Sequence, residues 1–98
     1  MRYIVQFRDR PDTAALRREQ MQAHFDWLRQ HAERVLVAGS LWPDGLELAQ
    51  GGLWIVEAGS EAEIRALLAS DPFWLCGLRA SVEIWQWRKA FPELNVPV

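Results

Sequence analysis

Polar and apolar residues alternate along the start of the chain, and apolar residues then recur every three or four positions. β-Branched and aromatic residues recur through residues 2–8, which predicts a first strand that ends at Arg10-Pro11-Asp12. The next segment is predicted to be a helix that is capped by Asp12 or Thr13 and runs to about Ala32, because no Gly or Pro interrupts it. Its predicted buried stripe consists of Ala14, Met21, Phe25, Leu28 and Ala32. The stripe that borders it consists of Arg17, Gln20, His24, Trp27 and His31.

Three further strands are predicted from short apolar or alternating runs, at residues 35–40, 53–57 and 81–87. Gly51-Gly52 is expected to break the chain before the third strand. Ser60 and Glu63 have the spacing of a capping box, which predicts a second helix from about Glu61. That helix is expected to end near Ser70, because the residue before a proline disfavours helical backbone.

The segment that follows this helix combines a carboxylate, a proline, two aromatic residues and a thiol. Asp71 and Pro72 are typical of an N-cap and a first helical position, where proline has no N–H to leave unpaired. Gly77 can adopt the positive φ that closes such a turn. We therefore predict one short helical turn with the Asp71 carboxylate at its N-terminal end. This carboxylate is either only a cap or one half of a site, whose other half is then His24.

The predicted order of elements is βαββαβ, which is typical of the ferredoxin-like α+β fold: a four-stranded antiparallel sheet with two helices on one face. The uncovered face of such a sheet is expected to be polar. Here Val5 and Ile4 point to opposite faces and are both apolar, as are Trp54 and Ile55. An uncovered apolar face would exceed the patch that a monomer normally exposes. A second copy is therefore expected to cover it, which predicts a homodimer.

Composition narrows the classes of protein to which the chain can belong. Ninety-eight residues, half of them hydrophobic, are enough for one core, and a formal net charge of −2 argues against a nucleic-acid partner. A single cysteine excludes an internal disulfide and fits a reducing compartment. Because the start is charged and alternating, we expect it to be neither a signal peptide nor a membrane span. We expect one cytoplasmic domain over residues 1–98, with a core at 2–88, an extended tail at 89–98 and no membrane partner.

Other chemistry-bearing residues carry weaker signals. Ser40 follows a glycine at a strand end, where its hydroxyl either faces a cleft or bonds its own backbone, and no Gly-x-Ser-x-Gly motif surrounds it. Cys76 lies among apolar residues and is interpreted as a small buried hydrophobe. His24, His31, Asp71 and Cys76 lack metal-ligand spacing, so no metal is expected. The candidate substrate-binding residues are Ser40, Trp27, Trp42, Phe73 and Trp74.

Six segments, taken in order, carry a resemblance to a known family. They are His24, Ala38-Gly39-Ser40-Leu41, Gly52-Leu53-Trp54-Ile55-Val56-Glu57-Ala58, Asp71-Pro72-Phe73, Gly77-Leu78, and Val82-Glu83-Ile84 with Trp87. Over residues 2 to about 88 the chain resembles the YCII-related (YciI-like) proteins. The resemblance implies a dimeric α+β barrel of the ferredoxin-like type whose two sheets enclose clefts. It also implies an active site that contains His24 and Asp71. Some members are associated with breakdown of substituted aromatic compounds. The tail from Lys89 has no counterpart in this resemblance.

A His–Asp pair has a clear chemical use, because the carboxylate accepts one ring N–H and leaves the other nitrogen free to take a proton. The first hypothesis is a small cofactor-independent enzyme, lyase-like or isomerase-like, in which His24 and Asp71 act on a small molecule in a dimer cleft. The second is a non-catalytic small-molecule-binding or regulatory dimer on the same scaffold. A His24–Asp71 contact at a pocket favours the first, and a pocket alone the second. An RNA-binding sheet would need basic flanks and exposed aromatic residues, and it is not favoured.

Overall fold

The computed structural model describes residues 1–95, which form four strands and three helices. The strands are β1 (Arg2–Asp9), β2 (Val35–Leu41), β3 (Gly51–Glu57) and β4 (Arg79–Gln86). The helices are α1 (Ala14–Gln30), α2 (Glu61–Leu68) and α3 (Pro72–Leu75). The predicted βαββαβ order is confirmed, and α3 is the short turn predicted after Asp71.

The four strands form one antiparallel sheet in the order β2-β3-β1-β4. Val5 of β1 lies at the centre of this sheet, between Trp54 of β3 and Ile84 of β4. The helices pack on one face of the sheet, which is the ferredoxin-like α+β arrangement. Alternation along β1 turns Tyr3, Val5 and Phe7 toward the helices, and all three are buried there.

The buried stripe of α1 differs from the predicted one. Phe25, which was expected in the core, is 44 % exposed, and the two buried residues of the helix are His24 and Trp27. The Trp27 ring stacks on Trp54 with a centroid distance of 5.3 Å, so the bordering stripe faces the sheet. A buried aromatic pair removes more apolar surface from water than Ala14 or Ala32 can, and this decides the rotation of the helix.

The start of α1 also differs from the prediction, because neither candidate side chain caps it. Thr13 occupies the N-cap position, but its hydroxyl donates to the carbonyl oxygen of Arg10 at 2.7 Å instead of accepting from the helix. Asp12 adopts a positive φ of 59° in the turn before the helix. Asp adopts this left-handed conformation more readily than most residues do, so Asp12 forms part of the turn instead of capping the helix.

The glycine pair before the third strand lies inside β3 rather than breaking the chain. A Cβ atom at Gly51 would collide with the carbonyl oxygen of Phe7, which explains the glycine at a paired position. At α2 the predicted cap is confirmed, because Ser60 Oγ accepts from the Glu63 amide at 3.2 Å. The reciprocal bond is shifted by one residue, since Glu63 accepts from the amide of Gly59.

The face of the sheet opposite the helices, called the outer face here, carries apolar residues on three strands. Ile4 and Leu53 are half-buried there, and Trp85 is 60 % exposed. After β4, the Trp87 amide donates to the Arg2 carbonyl, and a turn joins the Leu94 amide to the Phe91 carbonyl. Residues 96–98, the end of the predicted extended tail, lie outside the described residues.

Candidate active site

His24 and Asp71 form a buried hydrogen-bonded pair. Nδ1 of His24 lies 2.7 Å from Oδ1 of Asp71, and the two residues are only 6 % and 1 % exposed. An ionised carboxylate can only accept, so Nδ1 of a neutral His24 carries the ring hydrogen. This tautomer leaves Nε2 as the basic nitrogen, which is the arrangement that general acid–base chemistry requires.

The Asp71 carboxylate is held in position by its role as the cap of a helix. Asp71 is the N-cap of α3, and the oxygen that meets His24 also accepts from the Phe73 amide at 3.1 Å. Pro72 follows at the first helical position, and Gly77 leaves the turn with a φ of 82°. The cap and the histidine contact therefore use the same oxygen, and the two interpretations of Asp71 do not exclude each other.

The Phe73 ring holds the imidazole in place from a second direction. It is 1 % exposed and stacks on His24 with a centroid distance of 3.9 Å and an interplanar angle of 12°. The carboxylate and the stacked ring together restrict the rotation of the imidazole about its side-chain bonds. The orientation of Nε2 is thus determined by α1 and α3 jointly.

A cavity of about 230 Å³ adjoins the pair. A dry cavity of about 150 Å³ is known to hold benzene in another protein, so this volume suits one substituted ring. Its lining comes from α1, β2, β3, α3 and β4, and comprises Arg17, Met21, His24, Phe25, Leu28, Ala38, Gly39, Ser40, Trp54, Phe73 and Arg79. An apolar wall with a few polar groups is typical of small-molecule sites.

The candidate substrate-binding residues divide into two groups. Ser40 and Phe73 line the cavity, whereas Trp27, Trp42 and Trp74 do not. Trp27 is a core residue whose Nε1 donates to Ser70 Oγ at 3.0 Å. The other two tryptophans lie in different surroundings: Trp74 packs near Phe7, with ring centroids 6.5 Å apart, and the exposed Trp42 donates to Ser40 Oγ.

Sequence reasoning missed a buried ion cluster beside the cavity. Asp9 at the end of β1 accepts from Arg79 Nη1 at 2.7 Å through Oδ1, and from Arg17 Nη2 at 2.9 Å through Oδ2. Arg17 also donates to the carbonyl of Gly51 at 3.1 Å. A signal existed for Arg17, which stands two helical turns before His24 on the same stripe. Arg79 gave no such signal, because it preceded the predicted start of the last strand.

Arg79 is the most deeply buried cation of this cluster. Burial lowers the pKa of its guanidinium from the ordinary value, while the hydrogen bond to Asp9 opposes the change. The guanidinium lies 4.5 Å from the centroid of the Phe7 ring and 5.0 Å from that of Phe73. Its Nε is buried and has no hydrogen-bond partner among residues 1–95.

Two negative findings apply to the described part of the chain. Within residues 1–95, no three His, Cys, Asp or Glu side chains are grouped so that they could hold a metal ion. Over the same range, no helix is long and apolar enough to span a bilayer.

Comparison with known proteins agrees with the fold and with the resemblance noted above. The family model described as the YCII-related domain matches residues 1–88. The structure of 5-chloro-2-hydroxyhydroquinone dehydrochlorinase from Burkholderia phenoliruptrix AC1100, in complex with 2,5-dihydroxybenzoquinone, superposes with a TM-score of 0.82 at 26 % identity, over 90 % of this chain and 94 % of that one. A candidate antibiotic biosynthesis monooxygenase from Bacteroides thetaiotaomicron VPI-5482 superposes with a TM-score of 0.58 at 14 % identity, over 98 % and 94 %. The second likeness concerns the fold alone. No curated protein sequence is significantly similar to this chain.

Proposed function

Because the chain belongs to the YCII-related domain family, we propose that it is a small cofactor-independent enzyme in which His24 and Asp71 perform general acid–base chemistry. The observation that carries the proposal is the buried 2.7 Å contact between these side chains, of which His24 lines a cavity of about 230 Å³. The similarity to a dehydrochlorinase supports a lyase-like or isomerase-like reaction on a small ring compound.

In the proposed reaction, Nε2 of His24 takes a proton from a substrate hydroxyl group or from a carbon next to a carbonyl. The Asp71 carboxylate stabilises the imidazolium that forms. In an isomerisation the same proton returns at another substrate atom. In an elimination the electron pair left on the substrate expels the leaving group together with its bonding electrons, and His24 then releases the proton to water.

The proposal includes a homodimer and a cytoplasmic location. Apolar residues on the outer face, with Trp85 60 % exposed, support pairing of two sheets because a second copy would cover them. The single cysteine supports a reducing compartment.

The alternative is a binding or regulatory dimer that has the cavity but no catalysis. Chloride release from 5-chloro-2-hydroxyhydroquinone, the compound in the name of the similar dehydrochlorinase, distinguishes the two. We expect release above the buffer rate, and we expect His24→Gln to lower the turnover by about 10²–10⁴-fold. Asp71→Asn retains an oxygen for both hydrogen bonds and loses only the charge, so it should also slow turnover.

The matched control is His31→Gln, since His31 is the other histidine, lies next to the same helix and does not line the cavity. It should turn over like the wild type. Equal turnover in His24→Gln and wild type would contradict the proposed role of His24. Binding of the compound without turnover in the wild type would favour the alternative.

A further inference from the structure

We infer that the site binds its substrate through an anionic oxygen on a planar ring, a phenolate or an enolate, and that Arg17 and Arg79 hold this oxygen. The inference rests on the proposed function, because it specifies the substrate class of the same cavity. Neither arginine belongs to the His24–Asp71 pair, and both line the cavity.

The guanidinium groups of Arg17 and Arg79 leave hydrogen-bond donors unused at this wall. Both oxygens of Asp9 are engaged by the two guanidiniums. Oδ1 of Asp71 already accepts from His24 and from the Phe73 amide. Among residues 1–95, Arg79 uses only Nη1 for a hydrogen bond, and its buried Nε has no partner. The group that complements such a wall is an acceptor, and an anionic oxygen is the strongest one.

The two cations share a single carboxylate within their cluster. Arg17 and Arg79 together bring two positive charges to Asp9, whose side chain is 4 % exposed. Asp71 adds a second negative charge that acts on Arg79, but among residues 1–95 no hydrogen bond joins it to either guanidinium. The guanidinium N–H groups that Asp9 and Gly51 do not use are therefore the groups that an anionic oxygen would bind. Gly52 leaves room for this arrangement, because a Cβ there would lie 3.1 Å from Nη2 of Arg79.

The remaining walls favour a ring as the carrier of this oxygen. Phe25, Met21 and Leu28 line the cavity with apolar surface, and the stacked planes of Phe73 and His24 form another part of it. A ring can pack against such a wall while its oxygen reaches the guanidiniums. When Nε2 of His24 takes the hydroxyl proton, the arginines stabilise the negative charge that remains on the substrate.

A purely structural cluster that ties β1, α1 and β4 together makes a different prediction. Loss of Arg17 would then lower stability without changing which ligands bind. Relative affinity for an anionic and a neutral probe of similar size therefore separates the two roles.

The experiment is a calorimetric titration at pH 7 with 2,5-dihydroxybenzoquinone, which is anionic there, and with hydroquinone, which is neutral. We expect wild type to bind the anion at least about tenfold more tightly, as expected for a charged hydrogen bond. Arg17→Gln should reduce the preference to less than about threefold, and Arg17→Lys should retain part of it. Arg18→Gln, a neighbouring substitution outside the cavity lining, should keep the full preference.

Equal affinities of wild type for the two probes, or no binding of the anion, would overturn the inference without requiring any variant to fold. An unchanged preference in folded Arg17→Gln would also overturn it. His24→Gln separates this inference from the proposed function, because it should keep the anion preference while losing turnover. If the wild type prefers the anionic probe but shows no turnover, the inference of anion binding is supported and the proposed enzymatic function is contradicted.

Discussion

At the scale of single residues, Asp71 connects the stability of the fold to the candidate chemistry. Its Oδ1 caps α3 and also accepts from His24, while both partners are buried. Removal of the carboxylate leaves an unpaired N–H on the imidazole and another on the Phe73 backbone. The loss should therefore exceed that of an ordinary helix cap.

Asp71→Ala should destabilise the protein by about 2–4 kcal/mol, which combines a lost cap with an unsatisfied buried donor. Ser60→Ala is the matched control, because Ser60 caps α2 and its side chain has no other partner than the Glu63 amide among residues 1–95. It should cost about 0.5–2 kcal/mol. Urea unfolding at one protein concentration measures both losses, and equal losses would mean that the His24 bond adds nothing to stability.

At the scale of elements, the contact between β1 and β3 determines where Arg17 can reach. Gly51 pairs with Arg8, and its carbonyl accepts from Nη2 of Arg17. A side chain at this position would collide with the backbone of Phe7 rather than with a flexible side chain. To relieve this collision, β1 and β3 would have to move apart, and the Gly51 carbonyl that accepts from Arg17 would move with β3.

We predict that Gly51→Ala destabilises the fold by about 1–3 kcal/mol, the usual cost of overpacking. Gly39→Ala on β2 is the control, since a Cβ there meets no atom within 4 Å. It should be neutral or slightly stabilising, because alanine loses less backbone entropy on folding. Thermal or urea unfolding compares the two variants, and a stable Gly51→Ala would show that β1 and β3 tolerate a wider separation.

At the scale of the whole molecule, the outer face determines the expected assembly. Leu53 and Ile4 are half-buried on this face, and Trp85 and Val37 are exposed. Solvent contact with a contiguous apolar surface is unfavourable in proportion to its area. Sheet-on-sheet pairing around a two-fold axis would remove that contact.

Light scattering at micromolar concentration should give about twice the 11.3 kDa chain mass. Trp85→Glu should shift the mass toward that of the monomer, because a charge would be buried between the paired sheets. Leu75→Glu is the control: Leu75 is 70 % exposed on α3, away from the outer face, and its substitution should leave the mass unchanged. A wild-type chain that is folded and monomeric would contradict the proposed dimer.

The sequence alone determined the features that depend on neighbouring residues. The period of two in β1, the Ser60 cap and the Asp71-Pro72 turn are local signals, and each was confirmed. The family resemblance, which named His24 and Asp71, was carried by their order along the chain and by the segments between them. The match of the YCII-related domain to residues 1–88 confirmed that resemblance.

Beyond the His24–Asp71 pair that the resemblance named, only the tertiary structure showed which distant groups meet. The rotation of α1 depended on the stacking of Trp27 on Trp54, and the cluster around Asp9 required a residue from β1, one from α1 and one from β4. No periodicity or spacing reveals such contacts, because their energies arise from burial and charge between distant segments. Ser40 and Phe73 were named from the sequence, but the rest of the cavity wall could not be, because it exists only once five elements have packed together.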